Sequence, residues 1–401
     1  MQCGFAFLEA GAVRSKNCTN ILIKNVLDSL LGILGYWAIG WALAYGPNSN
    51  NFLDHFFGFS QFFVIGLQNY AKFFFQFVFA ATAATIISGA VHLCGGTISL
   101  IAALLIGPRI GRFPEKEARQ KNKVKKGKQR ITPLRNVGTE GKLPKIAEIK
   151  GHSVPFASLG GFILMFGFLA FNGGSTGEIS TKGVGQVVAK VMVNTILCGA
   201  FAALSYLFVH FIRKGKWTIL LTINACLTGM VSACAGCNKM FVWLTKTLPR
   251  CFVFRPVWTS AITGSIAGMA YLAFSELCLI MRIDDPLDAF AVHFGGLLFS
   301  LIDPEKVKFD EALWQLCWQS VCAVAIIVWS ALVLTPAFLI LKAFGKMRVP
   351  REVEIRGLDK FKHGEAAYPL TAYGHGWGDG TEFVITPLQD VGGDAVNGKK
   401  T

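Results

Sequence analysis

Two histidines lie inside long apolar stretches of the sequence and are its first candidates for chemistry. His92 stands in VHLCGG and His293 in VHFGG, so each follows Val and has Gly at the third position after it. Ionisable side chains are costly inside an apolar span, which makes them candidates for a functional site. A similar segment in each half of a chain is typical of inverted-repeat transporters, whose site lies between the halves. Two unrelated core histidines, each bonded to backbone, are the alternative.

Paired imidazoles have chemistry that suits a path for small polar solutes. A buried imidazole favours its neutral form, in which one ring nitrogen donates a hydrogen bond and the other accepts one. Two such rings that share a hydrogen bond form a short polar line through an apolar bore, which can pass a small hydrogen-bonding solute or a proton. The line offers a hard metal ion no oxygen ligands, so the sequence predicts no metal and no cofactor.

An aromatic pair with a nearby hydroxyl forms the second candidate site. Phe79 lies in FQFVFAAT and Phe171 in FLAFNGGST, where a helix is predicted to end at Asn172 and to leave Ser175 in an outer vestibule. An aromatic face beside a hydroxyl attracts a small cation through cation–π and hydrogen-bonding interactions. Because the chain has 34 phenylalanines, the alternative is that these rings simply face lipid or core.

Three carboxylates precede the second histidine, in the run DDPLD at 284–288. Carboxylates in the first turn of a helix are favourable against the helix dipole, and proline is a normal helix opener. Asp288 lies five residues before His293, which is about 7.5 Å along a helix axis. Helix capping is the simpler interpretation of Asp288, and a role near His293 is the alternative.

The composition indicates that a membrane surrounds these residues. Of the 401 residues, 53% are hydrophobic and only 16% are charged, and the mean hydropathy is +0.48. A soluble protein carries about 25% charged residues, so this chain has too few to cover a surface that faces water. That excludes a cytosolic enzyme and a disordered chain, and it predicts an all-α polytopic membrane protein.

The net charge of +15 is concentrated in one polar segment. Residues 113–150 hold twelve Lys or Arg against four Asp or Glu. Binding of single-stranded nucleic acid usually needs aromatic residues among the basic ones, and none lies between Lys116 and Lys150. We therefore predict a cytoplasmic loop and no nucleic-acid partner. The eleven cysteines are spread singly apart from Cys234 and Cys237, and we interpret them as small buried apolar residues rather than zinc ligands.

Apolar runs locate the predicted crossings. They lie at 27–46, 73–107, 154–173, 188–212, 218–237, 257–281, 287–303 and 316–345, and a shorter run at 1–13 is expected to be the exit half of a helix. As a single helix the run at 73–107 would extend about 52 Å, which is too long for one crossing of a hydrocarbon core of about 30 Å. It is also too short for two crossings and a turn.

Several of these stretches match one family in sequence and in order. The chain resembles the ammonium transporter (Amt) family and looks closest to its animal members. The matching stretches are GFAFLEAGAVRSKN with NILIKNVLD, FQFVFAATAATIISGA, VHLCGGTISLIAALLIGPRIGRF, GHSVPFASLGGFILMFGFLAFNGGST, SACAGC, IDDPLDAFAVHFGG and GLDKFKHGEAAYP.

The resemblance implies a homotrimer in a lipid bilayer, in which each subunit has eleven helices, inverted repeats and its own narrow pore for ammonium or ammonia. Seven residues are expected along or beside this pore. They are His92 and His293 as the twin pore histidines, Phe79 and Phe171 as the stacked phenylalanine gate, Ser175 at the outer ammonium-recruitment site, and Asp288 and Asn172 as structural residues. A multi-pass protein of the plasma membrane with a cytoplasmic C-terminus is expected.

The sequence departs from the family at several places. Within SGAVHLCGG the family has a further loop, a fourth helix and the first half of the fifth, so the run at 73–107 is predicted to fuse the third helix to the inner half of the fifth. About nine crossings would remain. The recruitment-site tryptophan is lost with that segment, Ala84 replaces an acidic residue, Phe168 replaces a tryptophan, and a charged insert stands at about 238–256.

The predicted organisation combines these features. It comprises a truncated first repeat at 1–112, a basic cytoplasmic loop at 113–152, a second repeat at 153–303, a last helix at 304–345 and a cytoplasmic tail at 346–401. The expected function is transport of ammonium or ammonia through a narrow apolar pore lined by the two histidines. A non-conducting sensor or a dominant-negative subunit is the alternative, because the first repeat is interrupted. No enzymatic motif is recognised, so no enzymatic activity is expected.

Overall fold

The computed structural model describes residues 1–46, 58–85, 90–113, 146–234, 259–297 and 309–368. All regular elements in these ranges are helices, which confirms the predicted all-α class. In chain order they are α1 (Gln2–Ala12), α2 (Cys18–Gly35), α3 (Trp41–Tyr45), α4 (Tyr70–Thr85), α5 (Ala90–Ile106), α6 (Val154–Gly174), α7 (Val184–Lys214), α8 (Ile219–Cys234), α9 (Thr259–Ile280), α10 (Ala289–Leu297), α11 (Phe309–Ala343) and α12 (Arg351–Arg356).

Many of these helices are long and apolar enough for a bilayer. Within the described ranges, five segments have the length and hydropathy of a membrane span: Ser15–Tyr45, Val154–Gly174, Val184–Lys214, Ser260–Ile280 and Ser320–Ala343. Three shorter apolar helices accompany them, at Tyr70–Ala81, His92–Ile106 and Ile219–Cys234. The polytopic membrane class is therefore confirmed, whereas the count of about nine crossings stays a prediction.

The long apolar run at 73–107 is divided between two helices. α4 ends at Thr85 and α5 begins at Ala90, and residues 86–89 lie outside the described part of the chain. On one straight helix, Phe79 and His92 would be about 20 Å apart along the axis. Instead both rings lie near Phe171, with centroids 4.8 Å and 6.5 Å from it. A single straight helix does not fit these distances, and the predicted fusion of the third helix to the inner half of the fifth stays a prediction.

The core lies among α6 to α10, and α1 packs against α6 at its side. Its largest fully buried side chains include Leu164, Tyr206, Val231 and Tyr271, which come from four different helices. α5 packs against α10 and α11 beside this core. The two helices that carry His92 and His293 are therefore in direct contact.

Glycines allow α1 and α6 to approach closely. A Cβ at Gly160 would lie 2.2 Å from the backbone nitrogen of Leu8 and 2.6 Å from the carbonyl oxygen of Gly4. These are backbone atoms, so they cannot rotate away as a flexible side chain can. The sequence motif GG in ASLGGF thus has a packing role at this helix contact.

We expect Gly160→Ala to destabilise the folded protein by about 2 kcal/mol, because overpacking a tight contact typically costs about 1–3 kcal/mol. Thermal unfolding of the purified protein in detergent would measure the loss. Gly174→Ala is the matched control on the same helix, since a Cβ there meets no atom within 4 Å. Equal melting temperatures for the two variants would contradict the assigned role of Gly160.

The segment after α11 folds back onto the start of α2. Both carboxylate oxygens of Asp359 accept hydrogen bonds from backbone nitrogens, from Thr19 at 3.0 Å and from Asn20 at 2.8 Å. Amides in the first turn of a helix have no partner within the helix, so this buried carboxylate caps α2 from outside. Near it, the hydroxyl of Tyr368 lies 2.6 Å from Nε2 of His152.

Several predicted segments fall outside the described residues. Most of the basic loop lies at 114–145, the charged insert falls within 235–258, and the tail beyond Tyr368 falls within 369–401. The domain boundaries proposed from the sequence stay predictions.

Candidate functional site

The two candidate histidines meet between α5 and α10. The Nδ1 atoms of His92 and His293 lie 2.9 Å apart. Their rings are nearly parallel and meet edge to edge, with centroids 4.9 Å apart and an angle of 8° between the planes. Both side chains are buried. The two similar VH segments thus bring their histidines to one place, and the lining of a pore by this pair stays a prediction.

A glycine makes this approach possible. Gly96 lies about one turn after His92 on α5, and a Cβ there would lie 2.9 Å from the backbone nitrogen of Phe294 on α10. Real Cβ atoms do not come so close to a backbone atom, so a larger residue at 96 would push the helices apart. Gly96 is therefore part of what holds the two rings at hydrogen-bonding distance.

The distance between the rings determines how hydrogens are shared. In a neutral imidazole one nitrogen carries a hydrogen and the other accepts a hydrogen bond. For Nδ1 atoms 2.9 Å apart, one therefore donates and the other accepts. The ring that donates from Nδ1 has a bare Nε2, whereas the ring that accepts at Nδ1 carries its hydrogen on Nε2. The pair consequently offers one donor and one acceptor at its two Nε2 ends.

The predicted phenylalanine pair also forms, and it adjoins the histidines. The rings of Phe79 and Phe171 have centroids 4.8 Å apart at an angle of 51°. Phe171 lies 6.5 Å from the ring of His92. A series of ring contacts therefore runs from Phe79 through Phe171 and His92 to His293.

Phe168 belongs to the same cluster. It is fully buried and stacks against His92 at a centroid distance of 5.9 Å and an angle of 19°. The sequence identified Phe168 only as a departure from the family, without a role. Its place is one turn before Phe171 on α6, and this spacing was the available signal, since residues three apart share a helix face.

Ser175 stands apart from these rings at the exposed end of α6. Its hydroxyl donates a hydrogen bond to the carbonyl oxygen of Phe171 at 2.8 Å. The hydroxyl oxygen keeps its capacity to accept a hydrogen bond from a solute. Recruitment of ammonium at Ser175 stays a prediction.

The three carboxylates before α10 have three different partners. Asp288 accepts hydrogen bonds from the hydroxyls of Tyr271 at 2.7 Å and Ser275 at 3.2 Å, so it ties the start of α10 to α9. The backbone nitrogen of Phe290 donates to Asp285 at 2.8 Å. Helix capping by a side chain, which was expected of Asp288, is therefore performed by Asp285.

Asp284 forms an ion pair with the segment that follows α5. Its carboxylate accepts bonds from Nε and Nη2 of Arg109, each at 2.8 Å, and from the backbone nitrogen of Arg109 at 2.9 Å. Arg112 lies further away, at 3.5 Å. Burial raises the pKa of Asp284, but the hydrogen bonds and charge of Arg109 outweigh burial and hold the pKa below its ordinary value. This pair joins the segment after α5 to the segment before α10.

Cys234 lies beside His92 and is hydrogen-bonded to Asn172. Asn172 is buried, and its Nδ2 donates to Oγ1 of Thr195 at 3.0 Å and to the carbonyl oxygen of Met230 at 3.4 Å. The thiol of Cys234 donates to Oδ1 of Asn172 at 3.0 Å, and its sulfur lies 3.6 Å from Nε2 of His92. The interpretation of Cys234 as merely a packed apolar residue missed this contact.

The sequence held little signal for Cys234. Its proximity to His92 depends on the crossing of α5 and α8, which no local pattern specifies. As for metals, the described residues contain no cluster of three or more His, Cys, Asp or Glu side chains suited to an ion.

Comparisons with known sequences point to one family. A model described as Ammonium Transporter Family matches residues 1–91 and 135–368. Putative ammonium transporter 1 of Caenorhabditis elegans is 48% identical over 457 aligned positions, which cover 94% of this chain and 78% of that protein. Ammonium transporter 3 of Dictyostelium discoideum is 27% identical, with 92% of this chain and 90% of that protein covered.

The matches also contain a gap. The alignment with the Caenorhabditis elegans protein is longer than the 401 residues of this chain, so it includes positions at which this chain has no residue. The match to the family model stops at residue 91 and resumes at residue 135, so residues 92–134, which include His92, lie outside it. The extra positions are consistent with a chain that lacks a segment, and the place of that segment before His92 stays a prediction.

Solved structures agree on the fold. A protein called Sensor Amt Protein matches with a TM-score of 0.70 at 25% identity, covering 90% of this chain and 94% of that one. The crystal structure of Saccharomyces cerevisiae Mep2 matches with a TM-score of 0.59 at 21% identity, covering 88% and 84%. The helix arrangement described above is therefore shared with these proteins.

Proposed function

This chain belongs to the ammonium transporter family, a family of membrane transport proteins rather than enzymes, and we propose that it moves ammonium or ammonia along its aromatic rings and paired histidines. One observation carries this proposal. The hydrogen bond of 2.9 Å between His92 and His293 provides a buried polar pair next to the Phe79–Phe171 contact. A small solute with N–H groups can exchange hydrogen bonds with such a pair.

The physical chemistry of the bore suggests where the charge is lost. An ammonium ion is attracted to the face of Phe171 by a cation–π interaction and to the hydroxyl oxygen of Ser175 by a hydrogen bond. Beyond the ring contact of Phe79 and Phe171 the path is apolar, and a bare cation there is costly. Ammonium therefore gives up a proton, and ammonia and the proton pass the histidine pair, where one imidazole donates and the other accepts.

A non-conducting role is the second candidate. The observation that favours it is the interrupted match to the family: residues 92–134, which include His92, lie outside the match, and the alignment with the Caenorhabditis elegans protein contains positions at which this chain has no residue. A structural relative is called Sensor Amt Protein, which makes ammonium sensing a further possibility for this fold. A chain of this kind would still enter oligomers with a full-length homologue and lower their activity.

Assembly and location are part of the proposal. We place the chain as a homotrimer in the lipid bilayer of the plasma membrane, with its C-terminal tail in the cytoplasm. The outer face of α11 supports contact with lipid or another subunit, since it exposes Trp314, Trp318, Val321 and Leu332. Basic residues at 213–216 and after Lys346 support the orientation, because loops rich in Lys and Arg stay on the cytoplasmic side.

Uptake in cells without ammonium transporters of their own tests the proposal. Cells that produce the full chain at their surface are expected to accumulate radiolabelled methylammonium faster than cells with an empty vector, and unlabelled ammonium should compete. Absence of uptake despite surface expression would contradict transport. The non-conducting candidate then predicts that co-expression with a full-length homologue lowers the homologue's uptake and that the two chains co-purify.

A further inference from the structure

The polar contacts around Cys234 determine which of the two histidines donates the shared hydrogen bond. They form a chain of hydrogen bonds that begins at backbone carbonyl groups, which can only accept. Each step along the chain favours one assignment of hydrogens. The chain therefore reaches the histidine pair with its direction already set.

The first step is the orientation of the Asn172 side chain. Its Nδ2 lies 3.4 Å from the carbonyl oxygen of Met230 and 3.0 Å from Oγ1 of Thr195. The hydroxyl of Thr195 donates its own hydrogen to the carbonyl oxygen of Val191 at 2.8 Å. Both neighbours of the Asn172 amide end are thus acceptors, so the NH₂ group must face them and Oδ1 must face Cys234.

The second step is the thiol of Cys234. Its sulfur lies 3.0 Å from Oδ1 of Asn172 and 3.4 Å from the carbonyl oxygen of Met230, and both of these oxygens are acceptors. The single thiol hydrogen therefore points toward an oxygen. What the sulfur presents to Nε2 of His92, at 3.6 Å, is a lone pair.

The third step is the histidine pair. A lone pair on sulfur favours a hydrogen on Nε2 of His92, and a neutral ring with hydrogen on Nε2 has a bare Nδ1. That Nδ1 lies 2.9 Å from Nδ1 of His293, which must then donate. We propose that Cys234 and Asn172 are positioning residues that hold His92 as the Nε2–H tautomer and His293 as the Nδ1–H tautomer.

The assignment gives the pair a polarity. The hydrogen on Nε2 of His92 is engaged by the sulfur, whereas Nε2 of His293 carries no hydrogen and is the acceptor that the pair offers. A solute rich in N–H groups, such as ammonia, is therefore met by an acceptor on His293. This consequence for permeation rests on the proposed transport function, but the tautomers themselves do not.

Nitrogen NMR of the full chain in lipid bilayers tests the tautomers directly. With ¹⁵N-labelled histidine, protonated and bare ring nitrogens give well-separated signals. The two rings are identified as the pair whose Nδ1 atoms are coupled through the shared hydrogen, and a ¹⁵N-leucine label tells them apart, because His92 alone among the histidines directly precedes a leucine. We expect His92 to be protonated at Nε2 and His293 at Nδ1. The opposite assignment in the unmodified protein would overturn the proposal, whether or not any variant folds.

Variants of Cys234 test the cause. In Cys234→Ala the lone pair is gone, so we expect the single assignment to be lost and both directions of the shared hydrogen to be populated. Cys234→Ser keeps an atom that donates to Asn172 and accepts from His92, so it should restore the assignment. Cys226→Ala is the matched control, because Cys226 is a buried thiol on the same helix. An unchanged spectrum for Cys234→Ala would overturn the role of Cys234.

Transport and tautomers can fail separately, which keeps the two proposals distinguishable. The spectrum is recorded without any solute gradient, so expected tautomers in a chain that shows no uptake would contradict transport alone. Normal uptake with the opposite tautomers would contradict only the positioning role.

Discussion

Replacing His293 by alanine is expected to lower methylammonium uptake about ten- to a hundred-fold. The change leaves Nδ1 of His92 without the partner that lies 2.9 Å away. The variant also removes the acceptor with which a passing solute exchanges hydrogen bonds. A buried hydrogen-bonding group of the solute that is left unsatisfied there costs about 1–3 kcal/mol, and each 1.4 kcal/mol is a factor of about ten in rate. Initial uptake rates, normalised to protein at the cell surface, measure the effect.

The pairing of the two rings also predicts how the losses of uptake caused by the two single substitutions combine. If they act as one hydrogen-bonded unit, His92→Ala should cost about as much as His293→Ala, and the double variant should cost little more than either single one. His210→Ala is the control, since His210 lies at the far end of α7 and contacts Tyr206 rather than the site. Losses that simply multiply in the double variant would contradict the pairing, and full uptake by the double variant would contradict the proposed path.

The histidine pair was predictable because local sequence marks it. Ionisable residues in apolar spans are few, and the repeated VH segments with glycines nearby distinguish His92 and His293 from the rest. The approach of the rings requires a small residue at the helix crossing, and Gly96 satisfies this requirement within the same segment. For this part of the site, the histidine and the small residue that allows the close approach lie in one short stretch of sequence.

Other partners could not be predicted, because their interaction is not specific in sequence. A carboxylate can satisfy the free amides of any helix start, and nothing local specifies that Asp359 caps α2, about 340 residues before it. In the same way, all three carboxylates in DDPLD fit a helix start. Only the positions of Arg109 and Tyr271 in the fold decide which carboxylate forms an ion pair and which one caps the helix. Cys234 is apolar by composition and becomes a hydrogen-bonding residue only beside Asn172.

Replacing Asp284 by alanine is expected to produce the largest loss of stability. The Asp284 side chain is only 1% exposed, and it accepts three hydrogen bonds from Arg109. Removing one partner of a buried ion pair costs about 3–5 kcal/mol because the other charge is left uncompensated. The Arg109 side chain is 33% exposed and can regain some hydration, so we expect the lower end, about 3 kcal/mol.

Thermal unfolding in detergent measures this loss, and an exposed ion pair supplies the control. Glu276→Ala breaks the pair with Arg213, whose side chains are 47% and 40% exposed, so its effect should be below about 1 kcal/mol. Asp284→Asn keeps an acceptor for Arg109 and should lie between the two. Similar melting temperatures for Asp284→Ala and Glu276→Ala would contradict the predicted contribution of the Asp284–Arg109 pair to stability.

The pH dependence of stability separates the charge of Asp284 from its size. Because Arg109 holds the pKa of Asp284 below its ordinary value of 3.8, the carboxylate stabilises the folded state above that pH. The contribution is lost as the pH falls below 3.8, and Asp284→Ala should lack this part of the acid transition.

Since Asp284 joins the segment after α5 to the start of α10, the same variant should also lower uptake by loosening the two histidine helices. Reduced stability with unchanged uptake would show that the histidine pair does not depend on this link.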